Sequence, residues 1–207
     1  MSKFNQEKRV FDRLKSDCSE DARCEYEYVL SILIERYNTT IYENRFIVGG
    51  AVEVFTYALL KSVGIECSLY GSQAKSGDII LPNDKKLSVK GTFTGKIGDV
   101  KLVNQLGSGK RYWDTATLFV ISGTGIVYGT PEMVEEQHIK QVSDGVVLKG
   151  KALREISQYS NNVFEVDIVP KPPTEMTGFS HKASVAVAKQ IMFENKAKTL
   201  IKSMDLD

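Results

Sequence analysis

The stretch that decides the fold of this chain is SGDIILPNDKKLSVKG, residues 76–91. Two short apolar segments flank the turn-forming residues 82–85, a pattern typical of a β-hairpin. A symmetric pairing around this turn sets Asp78 opposite Lys90, and adjacent strands lie about 5 Å apart. Because side chains alternate along a strand, Ser88 and Lys90 share one face. The core-facing set on the other side is Ile79, Leu81, Leu87 and Val89. The hairpin therefore places a carboxylate beside an ammonium group at a sheet edge.

An Asp–Lys pair across a hairpin has an ordinary interpretation, because such surface ion pairs are common and weak. Glu53 adds a second feature: it is the only charged residue in the apolar segment FIVGGAVEVFTYALL, residues 46–60. Burying an acid there costs free energy unless the acid is paired or holds a metal ion. Glu53 is therefore either part of a buried structural ion pair or a functional group.

The order of these residues along the chain resembles the PD-(D/E)xK nuclease superfamily, and within it the type II restriction endonucleases. The matching pieces are Glu53 on a helix, Gly77-Asp78 at a strand start, and Ser88-Val89-Lys90 on the next strand. No proline precedes Asp78, and Ser88 stands where many members carry an acid. In members with serine at that position another residue supplies the acid, and Glu53 is the expected supplier here. Less attractive substitutes are Asp99 and Asp84.

The resemblance implies a magnesium-dependent DNA endonuclease. Asp78, Glu53 and the Val89 carbonyl would hold Mg²⁺, a hard cation that prefers oxygen ligands. Lys90 would orient the attacking water and neutralise developing charge, and Ser88 would be a hydrogen-bonding neighbour. The products would carry 5′-phosphate and 3′-hydroxyl ends. Cutting both strands of a symmetric site in double-stranded DNA calls for a homodimer.

Two alternatives stay open at this point. One is a structure-selective repair or junction nuclease on the same fold. The other is a non-catalytic nucleic-acid-binding module that keeps the fold without the chemistry. Cleavage assays separate the three, because only a restriction enzyme gives specific fragments from intact duplex DNA.

Candidate DNA contacts lie in the loops beside this hairpin. Lysine and arginine suit phosphate or guanine, and asparagine and glutamine suit adenine. The candidates are Gln73, Lys75, Asn104, Gln105, Lys110 and Arg111. An ordinary solvated loop is the competing interpretation for each of them.

Composition sets the remaining limits. The formal net charge is +1, so a DNA-binding surface would have to be a local concentration of basic residues. The three cysteines lack metal-ligand spacing and predict reduced thiols. No segment predicts a signal peptide or a membrane span, and we expect a cytoplasmic protein with no membrane partner. Lys110 follows a glycine but lacks the rest of a phosphate-loop pattern, and His138 and His181 are isolated.

The pattern of elements predicts an α/β fold, a mixed central β-sheet flanked by helices, and the resemblance implies that it is restriction-endonuclease-like. A single nuclease domain over residues 1–207 would have its catalytic core at about 45–130. N-terminal helices over 4–40 and a C-terminal helix over 182–203 would be additions. Strands are predicted at 65–70, 117–122, 125–128, 146–149 and 163–169. Helices are predicted at 50–63, 100–106 and 151–159, and a further helix start at 130–132. A parallel crossover is expected from Lys90 to Thr117.

Overall fold

A computed structural model describes residues 2–37, 44–70, 78–104, 112–168 and 181–204 of the 207-residue chain. The α-helices in these ranges are α1 (Asn5–Asp17), α2 (Glu20–Arg36), α3 (Asn44–Ser62), α4 (Gly150–Ser157), α5 (His181–Glu194) and α6 (Lys198–Lys202). The strands are β1 (Ser68–Leu69), β2 (Ile79–Ile80), β3 (Lys86–Thr92), β4 (Val100–Asn104), β5 (Ala116–Ile121), β6 (Gly125–Gly129), β7 (Ile139–Val142), β8 (Gly145–Leu148) and β9 (Val163–Phe164).

The central sheet has six strands in the order β1-β2-β3-β5-β6-β9. Strand β3 runs parallel to β5, and the other neighbouring pairs are antiparallel. A parallel pair needs a crossover, and here the connection contains β4. The prediction of an α/β fold with a mixed sheet, flanking helices and a parallel crossover after Lys90 is confirmed.

The two faces of the central sheet pack against different layers. One face carries the predicted core set of the hairpin, and its members are 0–4% exposed: Ile79, Leu81, Leu87 and Val89. They join a large cluster with α1, α2, α3, α5 and α6. On the other face, Phe119 and Ile121 of β5 pack with α4 and with the second sheet, whose order is β4-β8-β7.

The second layer covers only part of this face of the central sheet, and the rest of the face is accessible. Lys86, Ser88 and Lys90 alternate with the buried residues of β3, so they lie on the same face as Phe119, yet all three are partly exposed. The region over β1, β2 and β3 on this face is called the open platform below. It borders the layer formed by α4 and the small sheet, and it carries the polar residues of the hairpin.

The register predicted for the hairpin is wrong by two residues. Ile79 pairs with Leu87 and Ile80 with Lys86, so continuing the ladder brings Asp78 level with Ser88 and not with Lys90. The reason is the tighter turn. Leu81 N–H donates to the Lys85 carbonyl at 2.8 Å, and residues 82–84 form one 3₁₀ turn. Lys90 is then a diagonal neighbour of Asp78, still within reach of a long side chain.

The helix predicted over 100–106 is instead strand β4. Val100 and Leu102 are buried while Lys101 is exposed, which is the alternation of a strand that covers a core on one face. Its partner is β8, which was predicted as a strand. The apolar residues of this short segment are compatible with either period, and pairing across the second sheet decides in favour of the strand.

Three other boundaries differ from the sequence prediction. The helix start at 130–132 gives only a 3₁₀ turn, Pro131–Met133. The C-terminal helix is divided into α5 and α6, because Lys196 takes a positive φ of 55° between them. The strands predicted over 65–70 and 163–169 are each two residues long within the described residues. No helix in the described ranges is long and apolar enough to cross a membrane.

Two glycines give opposite stability predictions. Gly49→Ala is expected to raise the free energy of unfolding by about 0.5–1 kcal/mol, because a helix-interior glycine costs entropy. A Cβ at this position meets nothing within 4 Å. Gly125→Ala is expected to destabilise strongly, since φ is +112° and the new Cβ would lie 2.3 Å from the Phe164 carbonyl oxygen. Urea denaturation measures both, and a stability loss in Gly49→Ala comparable with that in Gly125→Ala would contradict the prediction.

Candidate active site

Asp78 lies directly before β2, and the sheet holds its main chain. Its N–H donates to the Leu87 carbonyl at 2.9 Å, and its C=O accepts from the Tyr70 N–H at 3.2 Å. The carboxylate turns toward β3, where Oδ2 accepts from Ser88 Oγ at 2.8 Å and from Val89 N–H at 2.6 Å. Two donors on one oxygen hold the carboxylate in a single orientation at the edge of β3.

Lys90 approaches the same carboxylate oxygen from the open platform. Its Nζ lies 3.6 Å from Asp78 Oδ2, with side chains 27% and 21% exposed respectively. A partly exposed pair at this distance contributes about 0–1 kcal/mol to stability. The pair therefore adds little to the fold, and the ammonium group remains accessible to a ligand above the platform.

Glu53 reaches the pair from α3, on the helical side of the sheet. Between Ile47 and Leu60 of this helix every residue is buried except Gly49 and Glu53, which lie one turn apart. These two less buried positions mark the stripe of α3 that faces the edge of the central sheet. Among the residues that the structure describes, the Glu53 carboxylate makes no hydrogen bond. Its electrostatic neighbours are Asp78 and Lys90.

Glu53 and Asp78 are close enough for their charges to interact. The pKa of Glu53 is raised to about 8, chiefly by burial and further by the negative charge of Asp78, while Lys90 opposes the rise. Like charges in one site and loss of hydration both disfavour the ionised form. One lysine does not compensate two carboxylates, so a divalent cation would favour ionisation of both.

The oxygen atoms at the site have the chemistry of a magnesium site. Asp78 Oδ2 takes the hydrogen bonds found for this carboxylate in the described part of the chain, and no donor to Oδ1 is found there. The Val89 carbonyl lies on the same edge of β3 as the Val89 N–H. Within the described ranges no cluster of three or more His, Cys, Asp or Glu residues exists. Two carboxylates with water and substrate oxygens suffice for Mg²⁺, so the residues present fit the ion.

The two substitute acids lie elsewhere. Asp99 Oδ1 accepts from the Gly150 N–H at 2.9 Å, at the start of α4. Asp84 lies in the exposed hairpin turn and has a positive φ of 56°. Of the three acids considered for this role, Glu53 is the one brought to Asp78 and Lys90.

Most of the predicted DNA contacts fall in segments without a described structure. Gln73, Lys75, Gln105, Lys110 and Arg111 lie outside the described residues. The backbone of Asn104 pairs with Gly145 at the end of β4. Three lysines of the C-terminal segment are exposed, namely Lys196, Lys198 and Lys202, and Lys189 is partly exposed.

Two residues beside the site were missed by sequence reasoning. Tyr70 follows β1 and lies level with Asp78, as its hydrogen bond to the Asp78 carbonyl shows. Lys86 begins β3, and its Nζ lies 5.5 Å from the centre of the Tyr70 ring. A signal for Lys86 was present, because residues 86, 88 and 90 alternate onto one face. No sequence pattern pointed to Tyr70, because the register in which β1 pairs with β2 decides which residue lies beside it.

Comparisons with protein-family models, with curated proteins and with solved structures found no match.

Proposed function

We propose that the protein is a Mg²⁺-dependent DNA endonuclease of the PD-(D/E)xK type, acting as a type II restriction enzyme. One observation carries the proposal. Glu53 from a helix, Asp78 from one strand and Lys90 from the next converge at the edge of β3. Two acids and one ammonium group around open oxygen ligands are the groups that metal-assisted phosphodiester hydrolysis uses.

Each side chain has a role in this proposal. Asp78 and Glu53, with the Val89 carbonyl, hold the ion. When bound, Mg²⁺ supplies Lewis acidity at the phosphate oxygens and lowers the pKa of a coordinated water. Lys90 orients that water and neutralises charge that develops on the phosphate. Ser88 and the Val89 N–H hold the Asp78 carboxylate in one orientation, so its position does not depend on substrate.

The order of elements supports the finer assignment to a restriction-endonuclease-like fold. Helix α3 precedes the hairpin, the hairpin carries both charged groups, and β5 returns parallel to β3. The open platform gives a duplex access to Lys90 from the side opposite the main helical layer. A homodimer would present two such sites to the two strands of a symmetric sequence.

Digestion of a sequenced plasmid tests the proposal. In Mg²⁺ we expect discrete fragments whose mapped ends share one sequence and carry 5′-phosphate groups. EDTA should abolish the cleavage, and renewed Mg²⁺ should restore it. Cutting of branched DNA alone would point to a junction nuclease and overturn the restriction assignment. Absence of cleavage on linear, supercoiled and branched DNA, with unchanged DNA binding in Asp78→Ala, would overturn the nuclease proposal altogether.

A further inference from the structure

We infer that Lys86 and Tyr70 form a second phosphate subsite, which binds a substrate phosphate other than the one that is cleaved. The inference rests on the proposed nuclease function and identifies the substrate as a chain of phosphates. It concerns residues outside the Glu53, Asp78 and Lys90 cluster.

The register of three strands places these residues on the open platform. Ile80 pairs with both Ser68 and Lys86, which defines one row across β1, β2 and β3. The following row is Leu69, Ile79 and Leu87, and the row after it contains Tyr70 and Asp78, joined by their backbone hydrogen bond, and continues to Ser88. Residues of one row lie on one face, and every second row lies on the same face, so Tyr70 shares its face with Asp78 and Lys86.

The ring of Tyr70 orients the ammonium group of Lys86. The Nζ–centroid distance of 5.5 Å is within the range of a cation–π contact, worth about 0.5–1 kcal/mol at an accessible site. Such a contact restricts a long side chain that would otherwise lose its rotamer freedom on binding. Tyr70 is 38% exposed, so its ring is accessible on the platform.

Two lysines at this spacing match two different phosphates. Lys86 and Lys90 are four residues apart on one strand, so their Cα atoms lie about 13 Å apart. Lys90 Nζ lies beside Asp78 Oδ2, and Lys86 Nζ lies over the Tyr70 ring. A row of separate positive charges along a strand suits a polynucleotide backbone, whose charges repeat at short intervals. A mononucleotide would occupy the Lys90 position alone.

Salt dependence of DNA binding tests the subsite without any need for cleavage. In Ca²⁺, Lys86→Gln is expected to bind duplex DNA about 10-fold more weakly at low salt, the loss of one charge-assisted hydrogen bond. The slope of log K against log salt should fall by about 0.9. Lys198→Gln, on the helical side of the sheet, is the charge-matched control and should change neither quantity. An unchanged slope in Lys86→Gln would overturn the inference.

A second measurement locates the phosphate. Uncharged methylphosphonates are placed one at a time on each side of the mapped cut site. In the wild type, a methylphosphonate that removes a contacted phosphate charge should raise KM and leave kcat nearly unchanged. In Lys86→Gln, the methylphosphonate at the position that Lys86 contacts should cause no further rise in KM. Equal additional losses at every position would contradict a dedicated subsite. If the wild type binds DNA but does not cut it, the nuclease proposal fails while the salt measurement still decides the subsite.

Tyr70 is a positioning residue in this inference, and its variants have different expectations. Tyr70→Phe keeps the ring face and should bind DNA like the wild type. Tyr70→Leu keeps apolar bulk without the ring and should weaken binding about 2- to 5-fold through Lys86. In the Lys86→Gln background, Tyr70→Leu should have no further effect on binding. An equal loss in both backgrounds would mean that the ring acts independently of Lys86.

Discussion

Asp78→Asn is expected to lower the rate of DNA cleavage on the order of 10³-fold at saturating Mg²⁺. Asparagine keeps the shape of the side chain and an oxygen that accepts from Ser88 and Val89, so the hairpin stays in register. What disappears is the negative charge that would bind the proposed ion. Single-turnover cleavage of an oligonucleotide containing the mapped site measures the effect.

Asp99→Asn is the matched control for this substitution. Asp99 is also an acid near the central sheet, but it accepts a hydrogen bond from the Gly150 N–H at the start of α4. The control is expected to cleave within a few-fold of the wild-type rate. Cleavage by Asp78→Asn within 10-fold of wild type, with both variants folded by circular dichroism, would remove Asp78 from the proposed mechanism.

Glu53→Gln is expected to abolish cleavage and to stabilise the protein above neutral pH. The pKa of Glu53 is raised from its ordinary value to about 8 in the folded chain, mainly by burial. Between about pH 4.5 and pH 8 the folded state then binds more protons than the unfolded state, so the stability of the wild type falls as pH rises. Glutamine carries no charge to desolvate and escapes this loss.

The expected gain follows from the same linkage. It should be absent near pH 4, grow through neutral pH, and reach several kcal/mol above pH 8. Urea denaturation across this range without divalent ions measures it. Added Mg²⁺ should shrink the difference, because the ion stabilises only the wild type. Glu66→Gln, which replaces an exposed acid, should change stability by less than about 0.5 kcal/mol.

This experiment also separates the two interpretations of Glu53. A structural ion pair with Lys90 would make Glu53→Gln less stable than the wild type, because Lys90 would lose one of its two counter-charges. If Glu53 is instead a functional acid held in an unfavourable environment, Glu53→Gln should be more stable than the wild type. A loss of stability at pH 8 would therefore contradict the assignment of Glu53 as a metal ligand.

Local patterns were enough to predict part of the fold. The alternation of Leu87, Ser88, Val89 and Lys90 predicted which side chains face the core, and their burial confirms it. The position of Glu53 as a lone charge in an apolar segment was also sufficient to single it out as a candidate. Patterns of this kind depend on the period of one element, and tertiary contacts seldom override a strongly periodic element.

Pairing and register were less accessible to sequence reasoning. The symmetric hairpin placed Asp78 opposite Lys90, whereas the turn at Leu81 and Lys85 shifts the ladder by two residues. The segment 100–104 was predicted as helix, although β8 supplies a partner that makes it a strand. Both errors arise because the deciding hydrogen bonds join residues that a local pattern does not connect.

The sequence by itself determined which residues are available for chemistry: an acid in an apolar helix, an acid at a strand start, and a lysine two residues after a serine. Only the tertiary structure decided that Glu53 reaches the edge of β3, and that Tyr70 lies level with Asp78. The physical reason is that side-chain alternation is a local property of the backbone. Convergence instead requires α3 to pack on one particular face and β1 to pair in one particular register, and both depend on contacts between residues distant in sequence.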